Sequence, residues 1–251
     1  MIETIYAEAC KILENKDDID QHKVLLTAPT GVAAFNINWL TLHRAFHLPT
    51  KLTTPYQGLG EDILNEMRCE IGNLQLLIID EISMVGQLML HYISHRLCQL
   101  KQKKTEILFG GISILTFGDF YQLPPVNSTA LYRHSKYVTD IWKDNFKIIT
   151  LTEVMRQKDK EDSEMLCRLR IKKKDEQLQY LDFLRLQSRV KIGNIPQNVL
   201  HVFAIRKEVE RHNNEMIAEI CKETVQLHAI DIVHAKKKIF RKKEFCERFL
   251  Q

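Results

Sequence analysis

Leu76-Leu77-Ile78-Ile79-Asp80-Glu81-Ile82-Ser83-Met84 is the stretch on which the reading of this chain turns. Four apolar residues run directly into two adjacent carboxylates. That pattern predicts a strand buried on both faces of a parallel sheet, ending where the sheet presents its ligand groups. Two carboxylates buried beside such a strand cost several kcal/mol unless a cation or proton compensates. The pair is therefore expected to serve a hard cation and a water molecule. The same residues also read as a plain strand-to-helix turn, with Ser83 capping the helix that follows. A second segment weighs against that simpler reading: Gly118-Asp119-Phe120-Tyr121-Gln122-Leu123-Pro124-Pro125-Val126 follows another apolar run and again brings an acid to a strand end.

Working outward, apolar positions Ile2, Ile5, Ala9, Ile12 and Leu13 recur at helical spacing, and residues 15–20 are polar. Residues 24–28 read as a strand ending at Pro29-Thr30-Gly31, after which Val32-Ala33-Ala34-Phe35 can begin a helix. Strands are expected at 74–79, 112–117 and 148–151, with a helical face of Val85, Leu88, Met89, Tyr92, Ile93, Leu97 and Leu100 behind the first of these. Strands alternating with helices predict an α/β fold with a parallel sheet and with ligand groups at the strand C-termini. Beyond residue 157 the texture changes. Residues 161–171, 177–186 and 207–220 read as helices, and 199–204 as a strand. A domain boundary is expected near 158, dividing the chain into 1–157 and 158–251, the latter ending in a basic tail at 235–243.

The length of 251 residues allows one large or two modest domains, and 45% hydrophobic content supports a true core. Thirty-six basic against 32 acidic residues leave a net charge of +4, compatible with a phosphate-bearing partner but not demanding one. The six cysteines are scattered without Cys-x-x-Cys pairing, which argues against a disulfide framework or zinc knuckle and for a reducing compartment. No apolar run of about 18 residues and no targeting signal is visible, so no membrane partner is expected.

Three motifs carry a family resemblance: Ala28-Pro29-Thr30-Gly31-Val32-Ala33-Ala34-Phe35-Asn36-Ile37, Ile79-Asp80-Glu81-Ile82-Ser83-Met84, and the segment from Gly118 to Val126. In order and interval they resemble the Pif-type (petite-integration-frequency) ATP-dependent DNA helicases, RecD-like motors of superfamily one. Leu151-Thr152-Glu153-Val154-Met155-Arg156-Gln157 resembles the next motif of that family. The resemblance covers roughly residues 1–215. It implies a RecA-like sheet of the P-loop NTPase type in 1–157 and part of a second RecA-like domain in 158–251. It implies ATP as substrate, Mg²⁺ as cofactor, and single-stranded and duplex DNA as partners. A monomer working 5′-to-3′ in DNA repair, recombination and telomere maintenance is expected, in the nucleus or mitochondria.

Carried over by residue, Asp80 is expected to hold Mg²⁺ and Glu81 to orient and deprotonate the attacking water. Gln122 matches the sensor of the terminal phosphate, an amide able both to donate and to accept. Asp119 precedes it in the nucleotide site, and Arg156 matches a guanidinium that reaches the same phosphate. Pro29, Thr30 and Gly31 match a contact to the backbone of single-stranded DNA, through a hydroxyl, a close backbone approach and the helix start beyond. His43 and Phe46 correspond to positions near the DNA path, where a stacking or phosphate role is expected, although a satisfied histidine and a core aromatic fit equally.

Where the pattern fails is equally informative. None of the nine glycines is followed by lysine, so the chain contains no Gly-x-x-x-x-Gly-Lys-Ser/Thr phosphate loop. The late helicase motifs, including a second arginine, have no match either, and the chain reads as shortened at both ends. Asn38-Trp39 stands where the family usually has paired glycines, and Ile205-Arg206 where it has Thr-Asn. The expectation is a helicase whose ATPase activity is near background in this chain. The alternative is an inactive fragment that binds nucleic acid without hydrolysing ATP.

Overall fold

A computed structural model describes the chain except for residues 14–21, 135–139, 156, 174, 191–192, 194–198, 222–224, 226, 229–245 and 248–251. Two compact units are present, Met1–Leu178 and Gln179–Gln251. The division falls beyond the change of texture near residue 158, so the helix at 160–171 groups with the first unit.

The first unit is built on helix α1 (Ile2–Leu13), strand β1 (Val24–Ala28), helix α2 (Gly31–Asn36), strand β2 (Leu40–Thr41), helices α3 (Leu42–Ala45) and α4 (Glu61–Ile71), strand β3 (Leu76–Ile79), helix α5 (Gln87–Leu100), strand β4 (Ser113–Thr116), and helices α6 (Ile141–Asn145) and α7 (Lys160–Ile171). The four strands form one parallel sheet in the order β2-β1-β3-β4. The parallel α/β architecture read from the sequence is therefore observed. Val24 pairs with Leu76 and Thr27 with Ile79, while Leu76 and Ile79 pair with Ser113 and Thr116 on the other side.

Strands β1 and β3 are nearly continuous in apolar residues because both faces are covered. Leu25, Leu77 and Ile79 face a cluster with Leu42, Phe46, Met67, Ile93 and Leu97. Val24, Leu26, Ala28 and Ile78 point the other way, toward Ala34 and Ile37, with Ile2 and Tyr6 of α1 packed against them. Period-two alternation thus feeds two cores from one uniform apolar run.

Two expected strands are absent. Residues 148–151 take no strand conformation, and Ile149 is 87% exposed. An apolar run makes a strand only when a neighbour accepts its backbone hydrogen bonds. Among the described residues, none pairs with this segment. Residues 199–204 are likewise irregular and pair with no strand among the described residues, with Val202 84% exposed. The second unit instead carries helices α8 (Tyr180–Ser188) and α9 (Arg206–Ile220) and a two-residue antiparallel pair, β5 (Leu227–His228) with β6 (Cys246–Glu247). The basic tail lies outside the described residues.

Candidate nucleotide and DNA site

Because all four strands run parallel, the segments after β1, β2, β3 and β4 leave the same edge of the sheet. The Asp80 N–H donates to Thr27 O at 2.8 Å, continuing the ladder one residue past β3. Phe117 N–H then donates to Ile79 O at 2.9 Å and Ile82 N–H to Phe117 O at 2.9 Å, stitching the acidic turn to the end of β4. Between those bonds Glu81 adopts a left-handed backbone, φ 51° and ψ 46°. A non-glycine residue pays on the order of 1 kcal/mol there, so the surrounding bonds are what hold it.

Gly118 explains how the two strand ends come so close. A Cβ at this position would lie 2.9 Å from both the Ile82 backbone nitrogen and its Cγ2. Only glycine lets the chain leave β4 against the acidic turn. The next residue gathers the site. Asp119 Oδ1 accepts from Tyr121 N–H at 3.0 Å and from the Arg170 guanidinium at 2.8 Å, and Oδ2 accepts from the Gln122 amide at 3.4 Å. Asp80 Oδ1 accepts from Glu81 N–H at 2.9 Å. Burial, followed by the charges of Asp80 and Asp119, pushes the Glu81 carboxyl above its ordinary range. Asp80, Glu81, Asp119 and Gln122 thus converge, with Asp119 the link between the acidic pair and the amide.

Such a set suits a small hard cation. Among the described residues no three acidic, histidine or cysteine groups make a protein-only cage. Mg²⁺ commonly takes one or two carboxylates and completes its shell with water and substrate phosphate, which is the kind of oxygen donor Asp80 supplies.

The remaining expected site residues divide. Thr30 caps α2, its hydroxyl accepting from Ala33 N–H at 3.2 Å, and Gly31 beside it is exposed with nothing within 4 Å of a built Cβ. Pro29 and His43 are half-buried. Phe46 requires correction: it is fully buried in the core, so no ring face is open to a base. Its aromaticity serves packing. Arg156 lies outside the described residues. Ser83 does not act as the cap expected of it, since its buried hydroxyl has no hydrogen-bond partner among the described residues and α5 begins after Gly86. Asn38 takes a left-handed backbone (φ 55°), the conformation a glycine would favour, while Trp39 packs edge-on against Tyr6 and His22, at 5.2 and 5.5 Å. Arg170 was not anticipated, because a contact 51 residues distant in sequence leaves no local pattern.

The family model for PIF1-like helicases matches residues 6–199. The ATP-dependent DNA helicase PIF1 of Saccharomyces cerevisiae is 29% identical over 238 residues, covering 89% of this chain and 26% of the relative. That of Candida albicans is 31% identical over 83% of this chain and 24% of its own length. Among solved structures, Candida albicans Pif1 superposes with a TM-score of 0.71 at 26% identity, over 94% of this chain and 51% of that one. Bacteroides Pif1 in complex with ADP-AlF3 and single-stranded DNA gives 0.59 at 27% identity, over 89% and 53% respectively. The chain therefore spans about a quarter of these two curated relatives and about half of these two solved chains.

Proposed function

The chain belongs to the PIF1-like helicase family, and from that premise we propose that it works as part of a motor coupling ATP hydrolysis to 5′-to-3′ unwinding of duplex DNA. The observation that carries this reading is the convergence of Asp80, Glu81, Asp119 and Gln122 at one sheet edge. In this reading Asp80 holds Mg²⁺, which when bound neutralises charge on the phosphates. Glu81 accepts the proton of the attacking water, and its upward-shifted carboxyl lies nearer the pKa of an effective general base. Gln122 exchanges its bond to Asp119 for one to the terminal phosphate, so that its position reports whether that phosphate is present. Arg156 supplies positive charge to the same phosphate. Pro29, Thr30 and Gly31 contact the backbone of the bound strand, with His43 beside its path. The motor acts as a monomer in DNA repair, recombination and telomere maintenance, in the nucleus or mitochondria, with 1–157 and 158–251 as portions of its two RecA-like domains.

A second reading is favoured by one specific feature: the 251 residues contain no glycine followed by lysine, so the usual backbone cradle for the β and γ phosphates has no counterpart in them. Under it the chain binds nucleic acid without turnover. Measuring ATP hydrolysis with and without single-stranded DNA separates the two. The motor reading expects DNA-stimulated turnover that Glu81→Gln abolishes while ATP binding survives. Equal turnover in Glu81→Gln removes Glu81 from its role, and background turnover with DNA still bound leaves the second reading standing.

A further inference from the structure

Arg170 has no part in the reaction just described, yet it is the one cation, among the described residues, seen paired with the acidic group at the sheet edge. It reaches Asp119 from the last turn of α7, donating to Oδ1 at 2.8 Å, while its guanidinium carbon lies 5.1 Å from the centre of the Tyr121 ring. One side chain therefore grips the β4 exit loop twice, by a hydrogen bond to the carboxylate and by its charge over the ring. Asp119 in turn bonds Tyr121 N–H and the Gln122 amide. Without a counter-charge, Asp119 would add a third carboxylate beside Asp80 and Glu81, and their mutual repulsion would favour a loop that swings outward. The two partners also differ in exposure: the Asp119 side chain is 19% exposed, the Arg170 side chain 48%. The acid is held in place and the cation is reached from solvent.

We propose that Arg170 is a positioning residue: by clamping Asp119 and stacking on Tyr121, it holds the Tyr121-Gln122 turn where the Gln122 amide meets an incoming terminal phosphate. The clamp gains its purpose from the nucleotide-site reading of Asp80, Glu81 and Gln122 above. It requires the planar, forked guanidinium, so lysine replaces the charge but not the stacking.

The test is made on the 251-residue chain by nuclear magnetic resonance, following hydrogen exchange of the Tyr121 backbone N–H and the side-chain amide signals of Gln122. In Arg170→Met the Tyr121 proton is expected to lose protection and the Gln122 amide signals to collapse toward solvent-averaged values, with β1 and β3 amides unchanged. Arg170→Lys is expected to recover part of the signature. In an Asp119→Ala background, where no acceptor is left for the grip, adding Arg170→Met should change little. If Arg170 merely anchors α7, the loss would be the same in both backgrounds and would spread along α7; that outcome, or an unaltered loop in Arg170→Met, overturns the clamp. Should Arg170→Met not fold, Asp119→Ala alone must loosen Tyr121 and Gln122, and a rigid loop there overturns it equally. Because neither nucleotide nor DNA is present, a chain that shows the clamp but no ATP hydrolysis counts against the motor reading alone. Hydrolysis with no clamp signature counts against this proposal alone.

Discussion

At the sheet edge a single residue, Glu81, holds a costly backbone conformation. Glu81 sits in a left-handed conformation with its carboxyl pushed up by burial and by two neighbouring acids. An acid whose folded pKa exceeds its unfolded value contributes its stability at low pH and loses it as pH rises through the folded value. Glu81→Gln is therefore expected to be more stable than the wild type at neutral pH, with the advantage vanishing below the ordinary value of 4.5. Urea denaturation at the two pH values measures this, and an advantage independent of pH would show that charge is not its source. Glu81→Gly adds relief of the left-handed backbone, about 0.5–1 kcal/mol beyond the glutamine variant. Phe46 and His43 stand only three positions apart in sequence but differ in kind. Phe46→Ala should cost about 3–5 kcal/mol of stability as a core truncation. His43→Ala should leave thermal unfolding nearly unchanged and weaken single-stranded DNA binding in a fluorescence anisotropy titration.

At the level of elements, the site depends on β3 and β4 ending within backbone hydrogen-bond distance of each other. The bond from Ile82 N–H to Phe117 O and the bare Cα of Gly118 are the two conditions. Gly118→Ala places a methyl group 2.9 Å from the Ile82 backbone nitrogen, so the turn must shift. A loss of about 1–3 kcal/mol is expected from overpacking, and the displaced Asp119 loop should weaken any Mg²⁺-dependent nucleotide binding measured by calorimetry. Helix α5 behind the sheet is pinned from the far side by Arg96, which donates to Phe46 O at 3.3 Å and Gln57 O at 2.9 Å. Arg96→Met is expected to leave those carbonyls unsatisfied and lower the thermal midpoint without touching the acidic edge. The contrast between β3 and residues 148–151 is instructive here. Both are apolar runs, but β3 lies between two strands while the other segment pairs with none among the described residues.

For the molecule as a whole, DNA binding should be mainly electrostatic, and a linear fall of log affinity with log salt is expected for the 251-residue chain. Replacing Thr30-Gly31 by Val-Asp should weaken binding to all sequences alike; a sequence-selective loss would contradict a backbone contact. No described helix is long and apolar enough to cross a membrane. The order of strands and helices around β1, β3 and β4 was legible from hydrophobic period and from the polar residues that end each run. The position of Asp80 and Glu81 at a strand end was legible too, because adjacent acids after an apolar run are a local pattern, whereas Asp119 and Gln122 were singled out through the family resemblance. Burial of Phe46, the idle hydroxyl of Ser83 and the absence of strands at 148–151 and 199–204 were not legible, since an aromatic or an apolar run looks the same whether or not a neighbour covers it. What the sequence by itself determined is which polar and acidic residues stand at each strand end. Only the tertiary structure decided which of those ends meet: the hydrogen bonds across β3 and β4, the space left at Gly118 and the reach of Arg170 to Asp119 are contacts between distant segments, and no local pattern encodes a distance in space.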